Sequence, residues 1–127
     1  MKIPTDLLYT QDHEWVKIEN NIAYIGITDF AQGELGDIVY VEIETVGEKL
    51  MQHDTFGSVE AVKTVSDLFL PLSGEILELN PNIESNPELV NSDPYGEGWM
   101  IKLEIENSKE IDTLLAPDSY ASLIGLL

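Results

Sequence analysis

One stretch in the middle of the chain, residues 57–74, restricts the fold more than any other part of the sequence. It contains two short runs of apolar and β-branched residues, separated by a few small residues and one lysine, Lys63. Two such runs with a short connection between them are typical of a β-hairpin. The sequence therefore predicts that Lys63 lies at the tip of a hairpin.

Lys63 is also set apart from the other cationic residues. It is the only lysine between Leu50 and Ile101, in a chain that has six lysines and no arginine. A lysine amine is a nucleophile on a flexible stem, and a rigid hairpin can present it to a modifying enzyme. The residues alone leave two interpretations open: an attachment site for a swinging arm, and a lysine that only solvates the turn.

Further short strands and a few helices are predicted on both sides of this hairpin. Strands are expected at residues 13–18, 22–27, 37–44, 55–61, 74–79 and 99–106. A capping box that starts at Asp29 predicts a helix over residues 30–35 that ends at Gly36. Residues 80–98 are expected to be mostly loop with a helical turn at 87–91, and a second capping box starting at Asn107 predicts a helix to residue 115. Another helix should follow Pro117, with the apolar C-terminal tail packed on the body.

The composition excludes several classes of function. Twenty-four acidic residues against six lysines give a formal net charge of −18, so neither nucleic acids nor anionic membranes are expected as partners. The acidic surface suits partners with basic docking faces. An alternative is that the acidic residues only keep the protein soluble. The chain has no cysteine, which excludes disulfides, thiolate metal sites and cysteine catalysis.

No catalytic or metal-binding pattern stands out. His13 and His53 are the only histidines, and neither has a partner at metal-ligand spacing, so no metal site is predicted. There is no nucleophile elbow, phosphate loop or dinucleotide fingerprint, and the bare polypeptide is not expected to be an enzyme. No apolar run approaches a membrane span, and the first residues resemble neither a secretory signal nor a transit peptide. We therefore expect a cytoplasmic protein.

The hairpin residues carry a resemblance to a known family. Residues 59–63 (Val-Glu-Ala-Val-Lys), 66–67 (Ser-Asp) and 71–76 (Pro-Leu-Ser-Gly-Glu-Ile) resemble the lipoyl-lysine segment of the glycine cleavage H-protein family. That pattern is roughly Val-Glu-Ser-Val-Lys, Ser-Asp and Ser-Pro-x-Ser-Gly-Glu. Ala61 and Leu70 each stand in place of a serine, and neither departure affects the lysine.

The resemblance extends over nearly the whole chain. Residues 13–16, 26–32 and 91–100 also resemble blocks of the family, in its order and at its spacing. What this implies is a mainly β fold, a flattened β-barrel/sandwich hybrid of the lipoyl-domain type with short peripheral and C-terminal helices. A length of 127 residues suits one domain with an ordinary apolar core, so residues 1–127 are expected to form a single, monomeric lipoyl-carrier domain.

The resemblance also implies a carrier rather than a catalyst. Lipoate-attaching enzymes would join lipoic acid to Lys63 in amide linkage. Biotin is less suited to this lysine, because the attachment segment of biotin carriers resembles Ala-Met-Lys-Met, whereas Lys63 is flanked by Val62 and Thr64. The arm would take the aminomethyl group of glycine from glycine decarboxylase (P protein) to an aminomethyltransferase (T protein). Dihydrolipoamide dehydrogenase (L protein) would then reoxidise it. Two alternatives stay open: a lipoyl reservoir or relay for other lipoate-dependent complexes, and an interaction domain with an unmodified lysine.

Five further site residues follow from the resemblance. By themselves Glu60 and Asp67 could be recognition elements for the lipoate-attaching enzyme or solvated charges of the hairpin. The resemblance implies recognition for Glu60, and for Ser66 and Asp67 a role in lining a groove in which the loaded arm rests. Glu14, in the His-Glu-Trp block, is implied to hold the cationic aminomethyl group by a charge-assisted hydrogen bond. The alternative for Glu14 is a surface charge at the start of a strand. Glu34 stands where some relatives have a groove histidine, and would add a second carboxylate.

Overall fold

Nine strands form two antiparallel β-sheets in the computed structural model, which describes the whole chain, Met1–Leu127. The larger sheet has the order β1-β2-β3-β9-β8-β5 and the smaller one β4-β6-β7. The strands are β1 (Leu8–Tyr9), β2 (Glu14–Glu19), β3 (Ile22–Ile27), β4 (Ile38–Glu42), β5 (Lys49–Leu50), β6 (Thr55–Ala61), β7 (Val65–Phe69), β8 (Gly74–Leu79) and β9 (Ile101–Ile105).

One hydrophobic core joins the two sheets. It contains 20 buried residues, among them Ile25 and Leu103 from the larger sheet and Val41 and Val59 from the smaller one. Side chains alternate along each strand, so each sheet turns one apolar face towards the other. The two sheets share no strand, and the result is a sandwich rather than a closed barrel. The predicted mainly β architecture of the flattened barrel/sandwich type is confirmed.

The predicted hairpin around Lys63 is confirmed by strands β6 and β7. Val59 pairs with Ser66, and the Ala61 N–H donates to the Thr64 carbonyl at 2.8 Å to close the loop. Strand β6 also pairs with β4 on its other side, so it is the central strand of the smaller sheet. The lysine therefore follows a strand that is hydrogen-bonded along both edges.

Helices occupy the connections at the periphery of the sheets. They are α1 (Asp29–Leu35), α2 (Pro81–Ser85), α3 (Leu89–Ser92), a 3₁₀ helix (Ser108–Thr113) and α4 (Pro117–Leu123). None of them combines the length and the apolar composition that a membrane-spanning helix needs. Helix α2 was not predicted, although its Asn80 cap and Pro81 at the first position are a recognisable helix start.

The predicted cap of helix α1 is wrong by one residue. Thr28 has the extended backbone of a cap, and its Oγ1 accepts the Ala31 N–H at 3.2 Å. Asp29 is already helical, and its carboxylate accepts from the Gln32 side chain at 2.8 Å. The predicted end of the helix is confirmed, because Gly36 has a φ of 79°, a conformation that glycine adopts without strain.

Two expectations for the C-terminal part are also corrected. The second predicted capping box is only half formed, because Asn107 caps a 3₁₀ helix while Glu110 accepts hydrogen bonds from Ser73 instead. Helix α4 is confirmed, and Ile124 directly after it packs on the buried cluster that contains Tyr9 and Tyr120, but the end of the tail is not packed on the body. The last two residues, Leu126 and Leu127, are 51% and 77% exposed.

Candidate functional site

The Lys63 side chain is exposed at the hairpin tip and has no polar partner. Its amine makes no hydrogen bond, and the ion pairs in the structure are Lys17 with Glu19 and Lys102 with Glu78. The backbone beside it is nevertheless held in place. The Val62 N–H donates to the Asp37 carbonyl at 3.1 Å, which ties the tip to the start of β4. An ordered turn thus presents a free amine.

A groove of about 370 Å³ lies beside the same hairpin. Its walls come from the start of β2, from helix α1 and from strands β6 and β7. The lining residues are Asp12, His13, Glu14, Ile27, Phe30, Ala31, Glu34, Leu35, Val59, Ser66, Asp67 and Leu68. Half of them are hydrophobic, four carry carboxyl groups and none is a lysine. This lining suits an extended apolar ligand with a cationic end.

The groove unites four of the six residues predicted from the sequence. They come from three separate parts of the chain: Glu14, Glu34, Ser66 and Asp67. Lys63 lies outside the groove, on the turn from which β7 leads towards Ser66. Glu60 is exposed on β6 opposite Val65, and it is not part of the lining. The structure therefore separates Glu60 and Lys63 at the end of the hairpin from a groove that the other four line.

Glu14 is buried rather than placed as a surface charge. Only 2% of the residue is exposed, and its carboxyl accepts a hydrogen bond from the Thr10 hydroxyl at 2.7 Å. The Phe69 N–H approaches the other carboxyl oxygen at 3.5 Å. Burial raises the pKa of Glu14 to about 8, and the nearby Asp12 charge acts in the same direction. The carboxyl is therefore mostly protonated at neutral pH.

Three consecutive residues, Asp12, His13 and Glu14, line the groove because the backbone departs from a regular strand. In an extended strand neighbouring side chains point to opposite faces. His13 has a φ of 67°, which is uncommon for a residue other than glycine. This kink precedes β2 and lets all three residues contribute to the same groove.

The position of His13 depends on the C-terminal helix. Its Nδ1 lies 2.9 Å from the Tyr120 hydroxyl, which is also 2.7 Å from Thr28 Oγ1 at the cap of helix α1. The His13 ring also packs on Phe30, with ring centroids 4.8 Å apart. Burial lowers the pKa of His13 and raises that of Tyr120 to about 12, which favours neutral forms of both. Helix α4 thus braces the groove.

The sequence interpretation did not identify Asp12, His13 or Tyr120 as site residues. Asp12 and His13 are neighbours of Glu14, but in a regular strand consecutive side chains point to opposite faces and would not share one surface. Tyr120 is 107 residues away from His13, and no local pattern connects the two. Only the folded chain brings them together.

Comparison with known proteins now assigns the chain to a family. The family model described as glycine cleavage H-protein matches residues 7–125. This chain belongs to the glycine cleavage H-protein family. A glycine cleavage system H protein from Bacteroides thetaiotaomicron is 56% identical over 125 residues, which cover 98% of this chain and 99% of the relative. One from Staphylococcus epidermidis is 52% identical over 125 residues, with the same coverage of 98% and 99%.

A solved structure of the H-protein family supports the assignment of the fold. The crystal structure of a glycine cleavage system H protein from Mycobacterium marinum matches this chain with a TM-score of 0.87 and 38% sequence identity. The match covers 98% of this chain and 100% of the other. The resemblance carried by the hairpin and the three other blocks is therefore confirmed.

Proposed function

We propose that this chain is the lipoyl carrier of the glycine cleavage system, with lipoic acid joined in amide linkage to Lys63. The observation that carries the proposal is a free amine on an ordered hairpin tip, beside a groove that the same hairpin helps to form. The relatives support it, because they are described as glycine cleavage system H proteins.

The residues present fit a lipoyl group. Ser66 follows Lys63 by three positions, at most about 10 Å even if the chain between them were fully extended. A lysine stem lengthened by a fatty acyl chain covers this distance. The apolar part of the lining, including Phe30 and Leu35, suits the hydrocarbon and the sulfur ring. The carboxyl groups of Glu14 and Asp67 suit a cation at the end of the arm.

The chemistry belongs to the cofactor, and the protein supplies orientation and shielding. When bound, the lipoyl group provides the disulfide that takes up the aminomethyl group of glycine. The disulfide must later be regenerated from the dithiol. The apolar groove walls exclude water and so disfavour hydrolysis of the cargo. Glu14 holds a proton while no cation is near, and a cationic amine within hydrogen-bond reach favours its carboxylate form. Glu14 therefore releases its proton to solvent as it binds the cargo.

The partners that we propose are the other components of the system. They are glycine decarboxylase (P protein), the aminomethyltransferase (T protein) and dihydrolipoamide dehydrogenase (L protein). The net charge of −18 favours basic docking faces on these enzymes. Glu60, exposed three residues before Lys63, is a proposed contact for the lipoate-attaching enzyme. The chain itself acts as a carrier and leaves catalysis to its partners.

Replacement of the proposed attachment residue tests the function directly. Protein from its own host should gain the mass of one lipoyl group, confined to the peptide that contains Lys63. Lys63→Arg should abolish both the added mass and glycine cleavage in a mixture with the three enzymes. It should leave stability within about 0.5 kcal/mol, because an exposed turn residue contributes little to the core.

The matched control is Lys49→Arg, which changes an exposed lysine on strand β5, away from the lysine hairpin. It should keep the lipoyl group and wild-type activity. Glycine cleavage by the Lys63→Arg variant, or a lipoyl group on another lysine, would overturn the assignment.

A further inference from the structure

Asn91 lies in one of the blocks that carried the family resemblance, and the carrier function does not by itself explain it. It sits on helix α3 and makes three hydrogen bonds with its side chain. Its Oδ1 accepts the Ile38 N–H at 2.9 Å. Its Nδ2 donates to the Gly36 carbonyl at 2.9 Å and to Gln32 Oε1 at 3.0 Å. The amide thus uses both of its donors and one acceptor position to hold helix α1 and the segment between α1 and β4.

These hydrogen bonds lie on both sides of Asp37. Gly36 and Ile38 are held by the one Asn91 amide group, so the peptide of Asp37 between them has a defined orientation. The Asp37 carbonyl accepts the Val62 N–H at 3.1 Å, directly before Lys63 in the chain. Asn91 is therefore connected to the lysine turn through a single backbone segment.

The same side chain also binds helix α1, through a residue that does not itself line the groove. Gln32 belongs to helix α1, which contributes Phe30, Ala31, Glu34 and Leu35 to the lining. Four residues after Asn91, the Tyr95 hydroxyl accepts the Asp29 N–H at 2.9 Å, at the first residue of that helix. Both ends of the segment from Asn91 to Tyr95 are therefore hydrogen-bonded to helix α1.

We propose that Asn91 is a positioning residue that fixes the Lys63 turn relative to helix α1, the wall of the groove. Enzymes that modify Lys63 then meet the lysine in one orientation, and an arm on Lys63 starts from a fixed point beside the groove. This inference rests on the carrier function proposed above. It adds a residue that touches neither the lysine nor the groove.

Asn80 provides a matched control for a purely structural role. Its Nδ2 donates to the carbonyls of Glu97 and Trp99 at 2.7 and 2.8 Å, and its Oδ1 accepts the Asn82 N–H at 3.0 Å. Like Asn91, it therefore accepts one hydrogen bond from a backbone N–H and donates two, although both of its donated bonds go to backbone carbonyls. None of its partners contacts the lysine turn.

The test compares Asn91→Ala with Asn80→Ala in two measurements. The first is hydrogen exchange of the Val62 amide by NMR. The second is kcat/KM for lipoylation by a purified lipoate ligase with lipoate and ATP. Asn91→Ala should accelerate Val62 exchange about tenfold more than Asn80→Ala does, and lower kcat/KM about fivefold. Asn80 is fully buried and Asn91 only partly so; Asn80→Ala should therefore destabilise the fold at least as much as Asn91→Ala and still leave the kcat/KM within about twofold of the wild type.

Asn91→Asp is the second variant, in case the alanine variant does not fold. It keeps an oxygen for the Ile38 N–H and loses the donated bonds, so intermediate effects on both measurements are expected. Unchanged Val62 exchange in the Asn91 variants would overturn the inference, and so would equal effects of the Asn91 and Asn80 variants. If the wild type is not lipoylated, the proposed function fails, and Val62 exchange still decides whether Asn91 holds the turn.

Discussion

Burial decides the protonation of Glu14, the residue that we propose for the cationic cargo. The carboxyl accepts one short hydrogen bond, from the Thr10 hydroxyl, and the residue is almost completely shielded from solvent. Desolvation therefore outweighs that hydrogen bond, and the pKa rises to about 8. A carboxyl with a pKa near 8 can bind a cation in its ionised form and take up a proton again when the cation leaves, so no uncompensated charge remains in the groove.

The raised pKa of Glu14 makes a prediction about stability and pH. Between about pH 4.5 and pH 8 the unfolded chain has released this proton while the folded chain still holds it. The folded state then binds more protons, so the contribution of Glu14 to stability falls as the pH rises through this window. Glu14→Gln stays neutral and should match the wild type at pH 5. Above pH 8 it should be the more stable protein, by about 5 kcal/mol at most.

Urea unfolding of both proteins from pH 5 to pH 9 checks this expectation. Glu60→Gln is the control, because it removes one negative charge from an exposed position on strand β6. It should follow the wild-type pH dependence closely. Parallel curves for Glu14→Gln and the wild type would contradict the buried, protonated state of Glu14.

At the scale of the elements, helix α4 supports the groove without lining it. Tyr120 stacks on Tyr9 with ring centroids 4.7 Å apart and an interplanar angle of 9°. Its hydroxyl bridges His13, which lines the groove, and Thr28, which caps helix α1. The last helix of the chain is thereby joined to two walls of the groove.

Tyr120→Phe should destabilise the protein by about 1–3 kcal/mol, since the buried Thr28 and the partly buried His13 both lose a hydrogen-bond partner. The aromatic ring remains, so the stack on Tyr9 is preserved. Thermal and urea unfolding measure the change. The matched control is Tyr40→Phe, because Tyr40 is 52% exposed and its hydroxyl has no hydrogen bond in the structure. Equal stability losses in the two variants would exclude the bridging role.

For the molecule as a whole, charge repulsion is the main electrostatic term. Twenty-four acidic residues face six lysines, and just two ion pairs are formed, at 3.5 and 3.6 Å. Exposed pairs of this kind contribute little to stability. A folded chain of net charge −18 therefore keeps its like charges closer together than the unfolded chain does.

Added salt should stabilise the fold, because it screens this repulsion. Raising the NaCl concentration from about 10 to about 300 mM at pH 7.5 should raise Tm by roughly 3–5 °C. The effect should shrink near pH 4.5, where many of the carboxylates are protonated. A Tm that falls with salt at pH 7.5 would indicate that attractive ion pairs dominate instead.

Elements that depend on local chemistry were largely predictable. The hairpin around Lys63, the strand Ile22–Ile27 and the end of helix α1 at Gly36 follow from alternation, turn residues and glycine conformation. The cap of α1 was misplaced because Thr28 and Asp29 are both good caps, and only the backbone conformation distinguishes them. The predicted capping role of Glu110 was wrong because its carboxylate accepts hydrogen bonds from Ser73, which is distant in the sequence.

The sequence by itself determined the mainly β architecture, the lysine at the hairpin tip and the family, because periodicity, turn chemistry and ordered motifs are local properties of the chain. The tertiary structure alone decided that Glu14 is buried rather than exposed, which raises the pKa of its carboxyl. It also decided that Tyr120 and Asn91 support the groove and the lysine turn. Burial and hydrogen bonds between distant residues depend on which surfaces meet, and no local pattern encodes that.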